Sequence, residues 1–342
     1  MKAVVINRHG GSDVLEVTEL PDPEIDDNEV LVRVNACALN HLDVWIRKGL
    51  PGIEFPMPLI LGSDIAGVVA RVGRLVKNAK PGDEVVLSPG LSCMHCEYCL
   101  SGRDNLCASY GILGSRANGG YAEYVKVPSF NVIPKPKNLS FEEASSIPLV
   151  FLTAWHMLVE RVNLKPGETL LVHAAGSGVG SAAIQIGKLL GARVFATAST
   201  DAKLEKAKSI GADETINYQQ EDFLDAVKRL TSRRGVDVVF EHTGEATWEK
   251  SIRSLVRGGR LVTCGATSGY KGNLDIRYLF SRQISLHGSY MGAKIELLEV
   301  MRFFEDGRLK PVVDRVLPLE EAVDAHKAIE DRSQFGKVVL VP

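Results

Sequence analysis

The 342 residues suffice for two domains of ordinary size. With 45% hydrophobic and 24% charged residues and a formal net charge of −2, the chain reads as a folded globular protein, and no polyanion partner such as nucleic acid is expected. No apolar run is long enough to span a bilayer, and MKAVVINRHG lacks the apolar core of a secretory signal, so a cytoplasmic protein without a membrane partner is expected.

In chain order, Lys2 to Ile6, Val14 to Glu19 and Glu29 to Ala38 read as strands. Pro21, Pro23 and the acidic Asp26-Asp27-Asn28 mark the loop between the last two. Asn40 to Lys48 reads as a short helix ending at Gly49. Ile65 to Val72 and Glu84 to Leu87 continue the β pattern around the turn Lys80-Pro81-Gly82-Asp83. Next comes LSCMHCEYCLSGRDNLC, in which Cys93, Cys96, Cys99 and Cys107 follow the spacing C-x2-C-x2-C-x7-C. In a reducing compartment such a cluster signals metal, and four thiolates suit a closed tetrahedral zinc. An iron–sulfur cluster is disfavoured because no proline follows the last Cys. His95 lies inside a site that four sulfurs already complete and reads as a solvated loop residue. Ala122 to Val127 is a further strand, and Ser140-Phe141-Glu142-Glu143 is a capping box opening a helix. A longer helix is expected over Leu149 to Val162.

The rhythm changes at TLLVHAAGSGVGSAAIQIGKLL. Thr169 to His173 reads as a strand and Ser181 to Leu190 as a helix. Small residues fill the turn between them: Ala175, Gly176, Ser177, Gly178, Val179 and Gly180. A helix N-terminus behind a glycine-rich turn favours a pyrophosphate, hence a dinucleotide. Arg193 to Thr197, Glu214 to Asn217, Val236 to Phe240 and Arg260 to Cys264 follow as strands, with helices at Thr200 to Ser209 and Glu221 to Thr231. That alternation describes a doubly wound parallel sheet. Ala293 to Glu305 and Leu319 to Glu330 read as helices and Gly336 to Val341 as a last strand.

The cysteine lobe, the AAGSGVG turn and the ending FGKVVLVP together resemble the medium-chain dehydrogenase/reductase superfamily, over the whole length. The resemblance implies an α/β fold: a GroES-like β-rich catalytic domain over 1–150 with the zinc lobe near 90–110, a Rossmann domain over 151–290, and a segment 291–342 returning to the first domain. It places the active site in the cleft between them. It also implies a second, catalytic zinc in the zinc alcohol dehydrogenase branch. This sequence departs at those ligands: Asn40 and Ser63 stand at the Cys and His positions, Asp64 at the Glu beside it, and Leu149 nearest the last Cys. Leu42 replaces the proton-relay Ser or Thr. Asn, Ser and Leu are poor or null zinc ligands, so no catalytic zinc is expected. ALN-x-x-D and AAG-x-GVG are similar to the quinone oxidoreductase branch instead, which usually lacks the cysteine lobe.

Hydride transfer without a metal favours acceptors that spread the developing charge: quinones, α,β-unsaturated carbonyls and, less well, aryl ketones or aldehydes. The candidate catalytic residues are Asn40, His41, Asp43, Trp45, Ser63 and Asp64. Each keeps a second reading: Asn40 and Asp43 as helix-start residues, His41 over the cofactor phosphates, Trp45 as core, Ser63 and Asp64 as a turn beside Gly62. Trp45 and Tyr290 are candidates to line an apolar slot. For the cofactor, Ala198 occupies the place where NAD-binding domains carry an acid, and Ser199, Thr200 and Lys203 follow, which favours NADP(H) over NAD(H); Asp201 weighs the other way. The resemblance adds Thr153, Tyr218, Thr243, Gly265, Ala266, Ser289 and Arg332 to the cofactor set. It implies a homodimer or homotetramer paired through an edge strand near Ile284 to His287. A zinc-dependent alcohol dehydrogenase with atypical ligands, and a non-enzymatic NADPH-binding structural or RNA-associated protein, are the alternatives.

Overall fold

The computed structural model describes all 342 residues, and the chain divides into two compact units, Met1–Leu149 with Ala293–Pro342, and Val150–Gly292. No helix is long and apolar enough to cross a membrane.

The first unit is built on the strand Glu29–Ala38, which alternates side chains into one apolar core with Leu39, Ile65, Val125 and Leu340. It pairs antiparallel with Asp64–Val72, with Tyr124–Pro128 and with Lys337–Val341. Two of these pairings converge at its end: Ala38 lies opposite Asp64 on one side and Val339 on the other. The chain end after Ala38, the start of Asp64–Val72 and the start of Lys337–Val341 therefore meet at one corner. The helix His41–Lys48 begins there because Asn40 is extended and the Asp43 carboxylate accepts the Asn40 backbone N–H at 2.7 Å.

The second unit is a six-stranded, fully parallel sheet in the order Glu214–Asn217, Arg193–Ala198, Thr169–Val172, Val236–Glu241, Leu255–Thr263, Ser285–Gly288. Numbered along the chain this is 3-2-1-4-5-6, the doubly wound order, and its switch point lies at the ends of Thr169–Val172 and Val236–Glu241. The core beneath it gathers Leu171, Phe195, Ile216, Val239 and Leu261.

Several elements differ from the sequence expectation at their ends. The helix after the glycine turn starts at Gly178 rather than Ser181, because Ser177 caps it, its Oγ accepting the Gly180 N–H at 2.9 Å. Asp222 caps the helix Phe223–Leu230 in the same way, bonding the N–H groups of Leu224 and Asp225 at 2.9 and 3.3 Å, so that helix starts two residues later than Glu221. The expected helix Leu149–Val162 runs as α-helix over Pro148–Trp155 and then widens to a π-type turn over His156–Arg161. The first turn of the expected strand Val14–Glu19 is a 3-10 turn, Ser12–Val14, leaving Glu16–Glu19 as strand. Elements with no counterpart in the sequence reading include the helices Glu245–Arg253 and Ile276–Ser281 and the strands Val132–Pro134 and Val313–Pro318.

Candidate functional sites

The four lobe cysteines come together. Their sulfurs all lie within 4.8 Å of one another, with Cys93 to Cys99 at 3.9 Å and Cys96 to Cys99 at 3.5 Å. Four sulfurs at about 2.3 Å from a tetrahedral zinc would be separated by about 3.8 Å, so this donor set is close to what that ion needs. The two-turn loop achieves it locally: Met94 takes a left-handed φ of 63°, and Cys96 starts the short helix Glu97–Leu100. Backbone N–H groups of His95 and Cys96 pull the Cys93 thiol down to about 6, while burial and the neighbouring thiols push Cys96 up to about 11, so the four sulfurs titrate as a set. The His95 side chain itself is exposed.

The second cluster forms at the corner of the first unit. The Asn40 side-chain amide donates to Asp64 Oδ2 at 2.9 Å, and the Lys337 ammonium donates to Asn40 Oδ1 at 2.6 Å and to Asp64 Oδ2 at 2.8 Å. The Leu149 backbone N–H bonds Asp64 Oδ1 at 2.7 Å. Asp64 and Ser63 are fully buried, Lys337 is 3% exposed, and the Ser63 hydroxyl has no hydrogen-bond partner. Asn40, Asp64 and Leu149, three of the four positions where the resemblance would place zinc ligands, thus touch directly, and Lys337, absent from the sequence reading, holds two of them. A signal for it was present: it is the one charged residue of KVVLV, an otherwise apolar strand.

Behind this cluster runs a directional chain of hydrogen bonds. Arg47 donates to His326 Nδ1 at 3.2 Å, His326 Nε2 faces the Tyr121 hydroxyl at 3.3 Å, and Tyr121 donates to Asp43 Oδ2 at 3.3 Å. Asp43 in turn accepts the Asn40 and Gly62 N–H groups at 2.7 and 3.3 Å. Burial, then the Arg47 charge, pushes His326 down to about 3, so its ring is neutral and the Arg47 bond assigns the proton to Nε2. Burial raises the Asp43 carboxyl to about 6. Arg47, itself buried, is paired with Glu330 at 2.9 Å. Asp43 therefore orients both loops that carry Asn40 and Ser63, besides starting the helix. His41 and Trp45 lie on that helix, their rings 5.0 Å apart edge to face and both partly exposed.

In the second unit, the turn from Ala174 to Gly180 places the helix N-terminus close over the strand end. A Cβ on Gly180 would stand 2.5 Å from the Ala174 carbonyl oxygen, and Ala174 bends the chain with φ 46°. Ala175, Gly176, Ser177, Gly178 and Val179 form the same turn. Ser199 and Thr200 follow the second strand, and Thr200 Oγ1 caps the next helix by accepting the Lys203 N–H at 3.3 Å. Asp201 is turned toward the third strand, accepting from Asn217 at 2.7 Å and from Gln220 at 3.5 Å. The backbone N–H of the exposed Tyr218 bonds the Ala198 carbonyl at 3.2 Å. Thr243 lies just past the fourth strand, and Gly265 and Ala266 just past the fifth. The hydroxyls of Thr153 and Ser289 are buried without partners. Tyr290 is 59% exposed beside Ser289. Arg332 belongs to the first unit, where it takes φ 54° after the helix Ala322–Glu330. Sequence reasoning did not single out the buried network under the switch point: Glu241 accepts from Ser251 at 2.9 Å and Thr247 at 2.8 Å, and Ser251 also meets His173 Nε2 at 2.9 Å.

Comparison with known proteins bears on the whole chain. Residues 26–137 match the family model described as alcohol dehydrogenase GroES-like domain, and residues 178–306 that of zinc-binding dehydrogenase. The chain is 33% identical to a zinc-type alcohol dehydrogenase-like protein of Schizosaccharomyces pombe, with 99% of each chain covered. It is 29% identical to the quinone oxidoreductase of Homo sapiens, covering 100% of this chain and 98% of that one. A solved structure described as an NAD-dependent alcohol dehydrogenase is 54% identical and superposes with a TM-score of 0.97 over the full length of both chains. A GroES-like unit and a doubly wound unit, matched end to end by dehydrogenases and quinone oxidoreductases, make the chain an oxidoreductase of the medium-chain dehydrogenase/reductase superfamily.

Proposed function

We propose that the protein reduces quinones, α,β-unsaturated carbonyls or aryl ketones and aldehydes with NADPH, carrying one structural zinc per chain and none at the reacting oxygen. The observation that carries this reading is the engagement of Asp64. It is the one good ligand type among Asn40, Ser63, Asp64 and Leu149, and both its oxygens are taken by internal donors, one of them the Lys337 ammonium. A divalent cation there would lose those lone pairs and meet a buried positive charge.

When bound, the nicotinamide supplies the hydride. The chain supplies donors for the oxygen that becomes negative: one amide N–H of Asn40, one ammonium N–H of Lys337 and the Ser63 hydroxyl have no acceptor in the protein. Fixed donors of this kind contribute about 10²–10³ in kcat each, and suit acceptors that delocalise charge without a Lewis acid. The cofactor choice rests on Ala198, Ser199 and Lys203, and on Asp201 being occupied by Asn217. A charge-assisted bond from Lys203 to a 2′-phosphate contributes about 1.5–3 kcal/mol, roughly ten- to over a hundredfold in affinity.

Metal analysis of purified protein should give one zinc per chain; two tightly held zincs would refute the metal-free centre. Turnover on a panel of quinones, enones, ketones and alcohols, with each cofactor, tests the substrate class. Lys203→Ala should weaken NADPH roughly ten- to over a hundredfold and leave NADH nearly unchanged. The second reading is an NAD(H)-dependent alcohol dehydrogenase, favoured by the description of the 54% identical structure. Tighter NADH binding by the wild type, with alcohol oxidation, would establish it. For assembly we infer pairing through Ser285–Gly288, one of the two edge strands of its sheet, which follows the helix carrying the exposed Ile276 and Phe280. A monomer in light scattering at micromolar concentration would overturn that.

A further inference from the structure

The cysteine lobe leans on a residue far along the chain. Asp104, in the turn between Cys99 and Cys107, accepts the backbone N–H of Lys294 at 2.8 Å and so ties the lobe to the start of the helix Lys294–Glu305. The Lys294 side chain then folds inward. Its ammonium sits 4.1 Å from the centre of the Phe130 ring, is buried, and has no hydrogen-bond acceptor. Burial lowers its proton affinity, and the two anionic groups that act against this are Asp104 and Cys99. A buried ammonium without an acceptor is costly unless an opposite charge lies close. The Asp104 carboxylate is one such charge. A zinc held by four thiolates has the formal charge −2 and would add to it.

We infer that Lys294 is the counter-cation of the metal-loaded lobe, its ammonium offsetting, beside Asp104, the negative charge of the zinc-bound thiolates from the second layer of the site. This rests on the structural-zinc reading given above. It assigns Lys294 a role in metal retention that is separate from hydride transfer, since it touches neither the Asn40 corner nor the glycine turn. The contact between the Lys294 backbone and Asp104 is independent of the side chain, so a substitution leaves the helix start in place.

The test uses the full-length zinc-loaded protein. Zinc release to the chelator 4-(2-pyridylazo)resorcinol, and zinc affinity by chelator competition, are measured for wild type, Lys294→Met, Lys294→Arg and Phe130→Leu. Removal of a partner in the second layer of a metal site weakens binding about 10–100-fold, and Lys294→Met is expected to fall in that range. Lys294→Arg should retain affinity within a few-fold because the charge is kept. Phe130→Leu should do the same, because it alters packing and not charge. If Lys294→Met does not fold, Lys294→Gln, polar and uncharged, takes its place with the same expectation. Wild-type zinc affinity in the neutral variant overturns the inference alone. An equal loss in Lys294→Arg and Lys294→Met overturns it too, as it would mark a packing role. A wild type that binds no zinc at the lobe overturns the structural-zinc reading and this inference with it.

Discussion

Two clusters of the same unit stand at the two metal positions of the zinc alcohol dehydrogenase pattern, and they are held by opposite means. In the lobe, four sulfurs within 4.8 Å face one another with no internal cation among them. At the Ala38 corner, one carboxylate, one amide and one ammonium satisfy one another at 2.6–2.9 Å. The first is a set of like groups placed so that they could hold one ion. The second is neutral in sum and closed by the chain's own charges. The difference teaches that ligand type alone does not decide a metal site: a carboxylate already neutralised by a buried lysine is a poor invitation to a dication.

The comparison breaks most visibly at the lobe. Cys96→Ser should abolish zinc retention, taking the content from one per chain toward none, and should lower the unfolding temperature before any change in chemistry, because a structural zinc contributes directly to folding. Metal analysis beside a thermal melt reads both. Next in size is Lys337→Met, which leaves Asp64 charged and buried without its partner. A loss of about 3–5 kcal/mol in denaturant unfolding is expected, and Lys337→Met combined with Asp64→Leu should recover part of it. If the single variant is as stable as wild type, the ion pair does not close the corner. The smallest expected effect is on pH dependence. The Asp43 carboxyl, raised by burial to about 6 from an ordinary 3.8, binds its proton more tightly in the folded chain. The stability this proton confers is full below pH 3.8 and lost as pH rises through about 6. Between pH 4 and 7 the wild type should therefore lose up to about 3 kcal/mol more than Asp43→Asn. Parallel stability curves for the two proteins would refute the shift.

What the sequence made legible was local. The cysteine spacing spans one loop, the glycine turn one strand–helix junction, and alternating strands and helices follow from periodicity alone. What was not legible were the partners that complete each site from afar. Arg47 and His326 are 279 residues apart, Tyr121 and His326 205, Lys337 and Asn40 297. Nothing in a window of fifteen residues announces such pairs. The available hint is a charged residue beside apolar ones, as with Lys337 before Val338-Val339, and that hint says only that a partner exists. Helix starts were misplaced by two or three residues for a simpler reason: capping by Ser177 and Asp222 outweighed the apolar pattern.

The separation of Lys337 from Asp64 also sets a timetable. The 273-residue step from one to the other takes about 14–55 s to synthesise at roughly 5–20 residues per second. Throughout that interval the early strands have emerged, yet the place beside Glu29–Ala38 that Lys337–Val341 will fill stays open, and Asp64 lacks its ammonium. The doubly wound unit, encoded wholly between the two, can finish first. The part of the protein made earliest is thus the part completed last, and a nascent chain stalled after residue 149 presents an unpaired strand edge to its neighbours, a template for aggregation rather than a smaller working enzyme.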